Sequence, residues 1–158
     1  QINQTNMDGL KMRTGKYFEV SAKLTRTQED GEEKRVKESV VVEAESFGDA
    51  EEKALTEYDG YDVDIVSVSI APYKEVLFSK DGHDYKFYKA KVEFISLDEK
   101  TGKEQRTKVV YLVQASSLSR ALAYIDKVMK EAMIDYVSVA ATGTSVEAVF
   151  LKGEVIWL

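Results

Sequence analysis

The chain has no cysteine, one proline and one histidine in 158 residues. The missing cysteine excludes disulfide staples, thiolate nucleophiles and Cys-ligated zinc together, and fits a reducing compartment. Stability must then come from burial, and 44% hydrophobic residues at this length supply a core without staples. A single proline excludes the collagen-like and Pro-rich disordered classes. No apolar run approaches the ~18 residues of a membrane span. The opening "QINQTNMDGLKMRTGKY" lacks the apolar core of a signal peptide, so residues 1–15 are expected to be a flexible leader, with Met7 or Met12 as an alternative start. The lone histidine, His83, lies in "KDGHDY" between Asp81 and Asp84. A functional reading would make it a metal ligand or general base, but for a lone histidine in a turn, with no second His or Cys in the chain, a solvated turn residue is the better reading. There is no Gly-rich phosphate loop, nucleophile elbow, H-E-x-x-H or EF-hand spacing, and "EDGEE" is acidic without spaced ligands. Glu51, Glu52 and Glu57 read as a charged outer helix face rather than a catalytic carboxylate pair. The expectation is a noncatalytic protein with no metal and no cofactor.

What the chain does contain is a repeat. "VEAESFGDA" (Val42 to Ala50) returns as "VQASSLSRA" (Val113 to Ala121), an offset of 71 that also relates Arg35 to Arg106, Lys37 to Lys108, Ala44 to Ala115 and Val68 to Val139. "FEVSAKL" from Phe18 pairs with "YKAKVEF" from Tyr88 at an offset of 70, a one-residue slip that fits a change in a hairpin loop. Two copies of this length read as paired half-folds, since solenoid units come in threes or more. The expected division is a leader over 1–15, one repeat over 16–80 and a second over 86–158, sharing one compact domain.

Each copy runs through the same periods. Phe18, Val20, Ala22 and Leu24 alternate with polar residues, as do Tyr88, Ala90, Val92 and Phe94, which predicts first strands with one wet face. Asp30-Gly31 and Thr101-Gly102 mark hairpin turns. Val36 to Ala44 and Thr107 to Ala115 follow as second strands, apolar on both faces near their ends and so central. Ser46 with Asp49 has capping-box spacing for a helix, while the second copy caps with Ser116 or Ser117 and has Arg120 where the acid stood. Leu118, Ala121, Leu122, Ile125, Val128, Met129 and Met133 form a helical apolar stripe, and Phe47, Ala50, Ala54, Leu55 and Tyr58 a shorter one. Third strands through Val66, Val68 and Ile70, and through Val137, Val139 and Ala141, precede short fourth strands at Val76 to Phe78 and Val146 to Leu151. The fold class is α+β: two related strand-strand-helix-strand(-strand) units, antiparallel sheets with two helices, related by a pseudo-twofold.

Charge separates the copies. Residues 16–80 carry 9 Lys and Arg against 16 Asp and Glu, whereas residues 86–158 carry 11 against 9. Lys89 and Lys91 on one strand and Arg106 and Lys108 on the next would stand together on a sheet surface. Such a patch would follow a phosphate backbone, with Tyr85, Phe87 or Tyr111 to stack bases, although Glu93 and Glu104 interrupt it and Tyr111 points toward the core. A solvated face is the plainer reading at a net charge of −6. "KGEVIWL" holds the one tryptophan, and Ile156, Trp157 and Leu158 would dock a partner or a second copy if exposed, or close the sheet if buried.

The segments "YFEVSAKL", "VVVEAESFGDAE", "YKFYKAKVEFISLDEKTGKEQR", "VVYLVQASSLSRAL" and "MIDYVSVAAT" resemble domain of unknown function 4494, a family of Bacteroidetes and their phages. The resemblance covers Tyr17 to Phe150 and implies a bacterial or phage cytoplasmic setting. It implies no activity and transfers no site residue. Three functions are left to weigh. A binding or adaptor protein, for which the resemblance allows a phage origin, would engage a macromolecular partner through its sheet surface or last strand. A single-stranded nucleic-acid binder would work through Lys89, Lys91, Arg106 and Lys108. A small-ligand protein, sequestering a nucleotide-like molecule, would use a cleft between the repeats.

Overall fold

The computed structural model describes residues 4–7 and 9–158. Among them the order is β1 (Gln4–Met7), β2 (Leu10–Thr14), β3 (Tyr17–Thr27), β4 (Glu33–Glu43), α1 (Phe47–Glu57), β5 (Val63–Ile70), β6 (Glu75–Ser79), β7 (Lys86–Leu97), β8 (Glu104–Ala115), α2 (Leu118–Glu131), β9 (Tyr136–Gly143), β10 (Val146–Leu151) and β11 (Glu154–Trp157). The strands make two sheets, β1-β2-β6-β8-β7-β9 and β11-β10-β4-β3-β5. The chain divides into one unit of residues 1–15 and 73–144 and another of 16–72 and 145–158. These are not the sequential repeats 16–80 and 86–158, because each repeat gives its fourth strand away. β6, which follows β5, runs parallel to β8, and β10, which follows β9, runs parallel to β4. Both sheets are therefore mixed rather than wholly antiparallel. The cause is reach: a parallel partner for β4 from its own repeat would need a crossover of about a dozen residues or more. Only residues 71–74 separate β5 from β6, and only residues 144–145 separate β9 from β10.

In the unit of 16–72 and 145–158, β3 and β4 form a hairpin from Tyr17↔Glu43 to Thr27↔Glu33, turned through Gly31 at φ 86°. Phe18, Val20, Ala22 and Leu24 share one face with Val40, Val42, Ala148 and Phe150, and Ala50, Ala54 and Tyr58 close over them. Val41 is fully buried as well, so β4 is covered on both faces as its apolar run predicts. The helix itself buries little: Ala50 and Ala54 are its two buried residues, and the expected stripe members Phe47 and Leu55 are exposed. Phe47 lies edge-on to Phe18 with centroids 5.2 Å apart. Its caps therefore matter more. Ser46 Oγ accepts from Asp49 N at 3.1 Å, and Asp49 Oδ2 accepts from Glu45 N at 2.9 Å.

In the unit of 1–15 and 73–144, β7 and β8 pair from Lys86↔Ala115 to Leu97↔Glu104. Tyr88, Ala90, Val92, Tyr111 and Val113 meet Ala121, Ile125, Val128 and Met129 of α2. The expected leader falls partly outside the described residues, at 1–3 and 8. Of the remainder, Gln4–Met7 and Leu10–Thr14 are strands, and Leu10 is buried beside Leu77, so this stretch is not a loose arm. Ala44 and Ala115 occupy the same setting: both are fully buried, and each stands two residues before an extended N-cap serine, Ser46 at φ −154° and Ser117 at φ −155°.

Beyond the helices the offset changes. Phe18 pairs with Ile70 while its counterpart Tyr88 pairs with Gly143, which makes the offset 73 in the third strands. The partner of Val68 in the other unit is thus Ala141, not Val139. α2 has 14 residues to the 11 of α1, and the extra length carries the register forward. A bulge also interrupts each third strand, opposite Ser21/Ala22 and Lys91/Val92, so the simple alternation fails. Val63, Ile65 and Val68 pack on the core, whereas Val66, Ile70, Val137 and Val139, expected on the buried face, are exposed.

Candidate functional site

Trp157 sits opposite Ala148 in the β10/β11 pair and so lies on the face that carries α1. It meets Phe150 and Tyr58 edge-on at 5.3 and 5.9 Å. The Arg26 guanidinium stacks 4.7 Å from the Tyr61 ring and 5.7 Å from the Trp157 ring. Glu38 fixes that guanidinium with a fork, Nε to Oε2 at 2.8 Å and Nη2 to Oε1 at 2.9 Å, and also accepts from the Tyr58 hydroxyl at 3.1 Å. The Glu38 hydrogen bond raises the Arg26 pKa, and burial, reinforced by the Glu38 charge, pushes the Tyr58 hydroxyl up. Trp157 remains 43% exposed and Tyr61 is exposed beside it. The expected trio is therefore split. Trp157 is anchored yet open, Ile156 lies on the opposite face of β11, and Leu158 follows the strand with its amide on Glu147 O at 3.0 Å. Sequence reasoning missed Arg26, Glu38, Tyr58 and Tyr61; the available signal was a charge of each sign at the core-facing positions of neighbouring strands.

Lys89, Lys91, Arg106 and Lys108 do share the face of their sheet turned away from α2. Lys91 is opposite Val110, Glu93 opposite Lys108 and Ile95 opposite Arg106, so Lys91 and Lys108 are diagonal neighbours about 7–8 Å apart by strand geometry. Lys89, opposite Leu112, is half-buried, while the other three are exposed. Arg106 Nε is held by Glu104 at 3.0 Å. The expected stacking rings are not open beside them: Phe87 shares that face but is fully buried, Tyr111 is buried on the α2 face, and exposed Tyr85 precedes the strand with Lys86 Nζ 5.6 Å over its ring.

A third cluster was invisible as such. Asp84, 2% exposed, receives hydrogen bonds from Ser79 Oγ and the Tyr124 hydroxyl on Oδ2 and from Arg120 Nε on Oδ1 at 2.8 Å. Arg120 reaches Asp81 as well, Nη2 to Oδ2 at 2.9 Å. Burial opposes the Asp84 charge, yet the bonds from Ser79 and Tyr124 and the charge of Arg120 outweigh it and lower its pKa. Arg120 stands where Asp49 stands in the first copy, and this departure was the legible hint. His83 is at the solvent side, its Nδ1 3.0 Å from Asp81 Oδ1, in keeping with a turn residue. Both carboxylates are engaged by Arg120, and that of Asp84 by Ser79 and Tyr124 as well, so the cluster reads as a staple between the 79–84 turn and α2.

Among the described residues no group of His, Cys, Asp and Glu is spaced to hold a metal, and no helix is long and apolar enough to cross a membrane. The units differ in charge: residues 16–72 and 145–158 carry 8 Lys and Arg against 17 Asp and Glu, and the other unit 14 against 11. No curated protein and no solved structure matches the chain. Residues 16–152, from the start of β3 through β10 with both helices, match the family described as "Domain of unknown function (DUF4494)", and the chain belongs to that family.

Proposed function

We propose that this chain is a noncatalytic binding module that docks a protein partner on the surface around Trp157. The observation that carries this reading is the half-exposed indole locked between Arg26, Tyr58 and Phe150. Association usually costs the ordering of side chains at the interface, about 0.5–1.5 kcal/mol for each flexible one. Here the ordering is already done by Glu38 and the ring contacts. Trp, Tyr and Arg are also the residues that dominate interface energetics when they sit together. The surrounding unit carries 17 acids against 8 bases, so the favoured partner presents an apolar socket with a basic rim.

The test is affinity capture with the wild-type chain and with Trp157→Ala and Tyr61→Ala, each first shown to keep its circular dichroism and melting point. Partners that hold to wild type and are lost from both variants support the surface. A captured set indifferent to both substitutions rules it out. Trp157 is the one tryptophan, so its fluorescence then follows a purified partner directly.

A further inference from the structure

We propose that copies of this chain join head to tail by strand addition, the free edge of β9 in one copy pairing with the free edge of β5 in the next. β5 and β9 are the last strands of their sheets. An edge strand leaves a row of backbone donors and acceptors open, and proteins that must stay monomeric guard it with lysine, proline or inward charges. β9, "YVSVAATG", has no charged residue and no proline over its length. β5, "VDIVSVSI", has one charge, Asp64, which Arg35 holds at 2.7 Å.

The two edges also share an irregularity. Val66 and Val139 are the extra residues of the two bulges, left out of the ladder to β3 and to β7. They stand 49% and 55% exposed, with Ile70 and Val137 exposed along the same strands. A bulge is itself a device that twists an edge away, but here it turns a valine outward instead of a charge.

Charge selects which edge meets which. β5 belongs to the unit with 8 bases against 17 acids, and β9 to the unit with 14 against 11. Of those acids, Asp59 and Asp62 stand just before β5, where Arg35 pairs with Asp62 at 3.3 Å as well as with Asp64. Two β5 edges therefore repel, whereas β5 against β9 brings opposite net charges together. A contact between two different patches is heterologous, so an assembly of any length keeps one free β5 edge at one end and one free β9 edge at the other. The occupant of each edge is a second copy of this chain, and the inference is independent of the surface around Trp157.

Sedimentation velocity across a concentration series tests it. Wild type should show a ladder of oligomers that grows with concentration and shrinks as salt is raised. V66K and V139K, both at exposed positions and checked by melting point, should each be monomeric alone, because each lacks one member of the pair. Mixed together they should form a one-to-one dimer and nothing larger, since each supplies the edge that the other has lost. W157A should assemble as wild type does. A wild-type chain that stays monomeric throughout overturns the proposal, and so does a V66K chain that still dimerises while V139K does not, which would make the contact β9 with β9.

Discussion

Arg26 and Glu38 meet through two parallel hydrogen bonds of 2.8 and 2.9 Å, with the Arg26 side chain 27% and the Glu38 side chain 14% exposed. The fork does two jobs, since the same carboxylate accepts from Tyr58 and the same guanidinium supports Trp157. Glu38→Ala leaves Arg26 without its carboxylate and the Tyr58 hydroxyl without its acceptor. The expected loss is roughly 1–3 kcal/mol, below the 3–5 typical of a fully buried pair because this one keeps some water. Arg26→Met combined with Glu38→Leu should recover only the share owed to the stranded Arg26 charge, because the Tyr58 hydroxyl still lacks its acceptor. Urea unfolding read through Trp157 fluorescence measures both, and a Glu38→Ala chain as stable as wild type would contradict the assignment.

Asp84 predicts a pH dependence of definite sign. Its folded pKa is lowered, so its contribution is fully present above the unfolded value of about 3.9 and is lost as pH falls through the lower folded value. Asp84→Asn should therefore destabilise by roughly 1.5–3 kcal/mol at pH 7, the worth of charge-assisted hydrogen bonds. The gap between wild type and variant should narrow below about pH 4. Thermal melts at a series of pH values decide it; a gap that widens on acidification would assign the wrong sign to the group.

The helices should differ in local stability. α1 buries Ala50 and Ala54, whereas α2 buries Ala121, Ile125, Val128 and Met129. Full burial of a large aliphatic side chain contributes about 1.5–3 kcal/mol, and an alanine supplies far less. Hydrogen exchange should thus be faster in α1 than in α2. Ser46→Ala should cost about 1 kcal/mol and raise exchange through residues 47–57 selectively, while Ser117→Ala, of similar cost, leaves α2 slower than α1. Equal exchange in the two helices would mean that something other than core burial holds α1.

Local pattern explains which features were legible in the sequence. The hairpins, the N-caps at Ser46 and Ser117 and the doubly buried run at Val40 to Val42 are set by residues close in sequence, and alternation or spacing exposes them. The exchange of β6 and β10 is set by the length of a connection and by which edge is free, and a period-2 pattern is silent on both. "IVSVS" and "YVSVA" align at 71 by letter but at 73 by hydrogen bond, because bulges and a longer α2 leave no mark in hydropathy. Arg26 and Glu38 were hidden for another reason: partly buried charges on core-facing positions look like exceptions to alternation until their partners are known. Strand β2 was hidden by its polar residues, Lys11, Arg13 and Thr14, although Leu10 and Arg13 are buried.

The cationic face of β7 and β8 gives the last prediction. Three of its four cations, Lys91, Arg106 and Lys108, are exposed; Glu104 holds Arg106, and Glu93 stands opposite Lys108. At most about three phosphates would be neutralised, giving a slope of log affinity against log salt near −2 for a single strand. Without an exposed ring among these side chains there is no stacking of about 1–3 kcal/mol per base to add to that. Oligonucleotide binding should then be detectable by fluorescence anisotropy at low ionic strength, vanish near physiological salt, and be abolished by Lys91→Glu with Arg106→Glu. Tight binding that persists at 0.2 M salt would mean that a stacking surface has been overlooked, and the nucleic-acid reading would displace the protein-docking one.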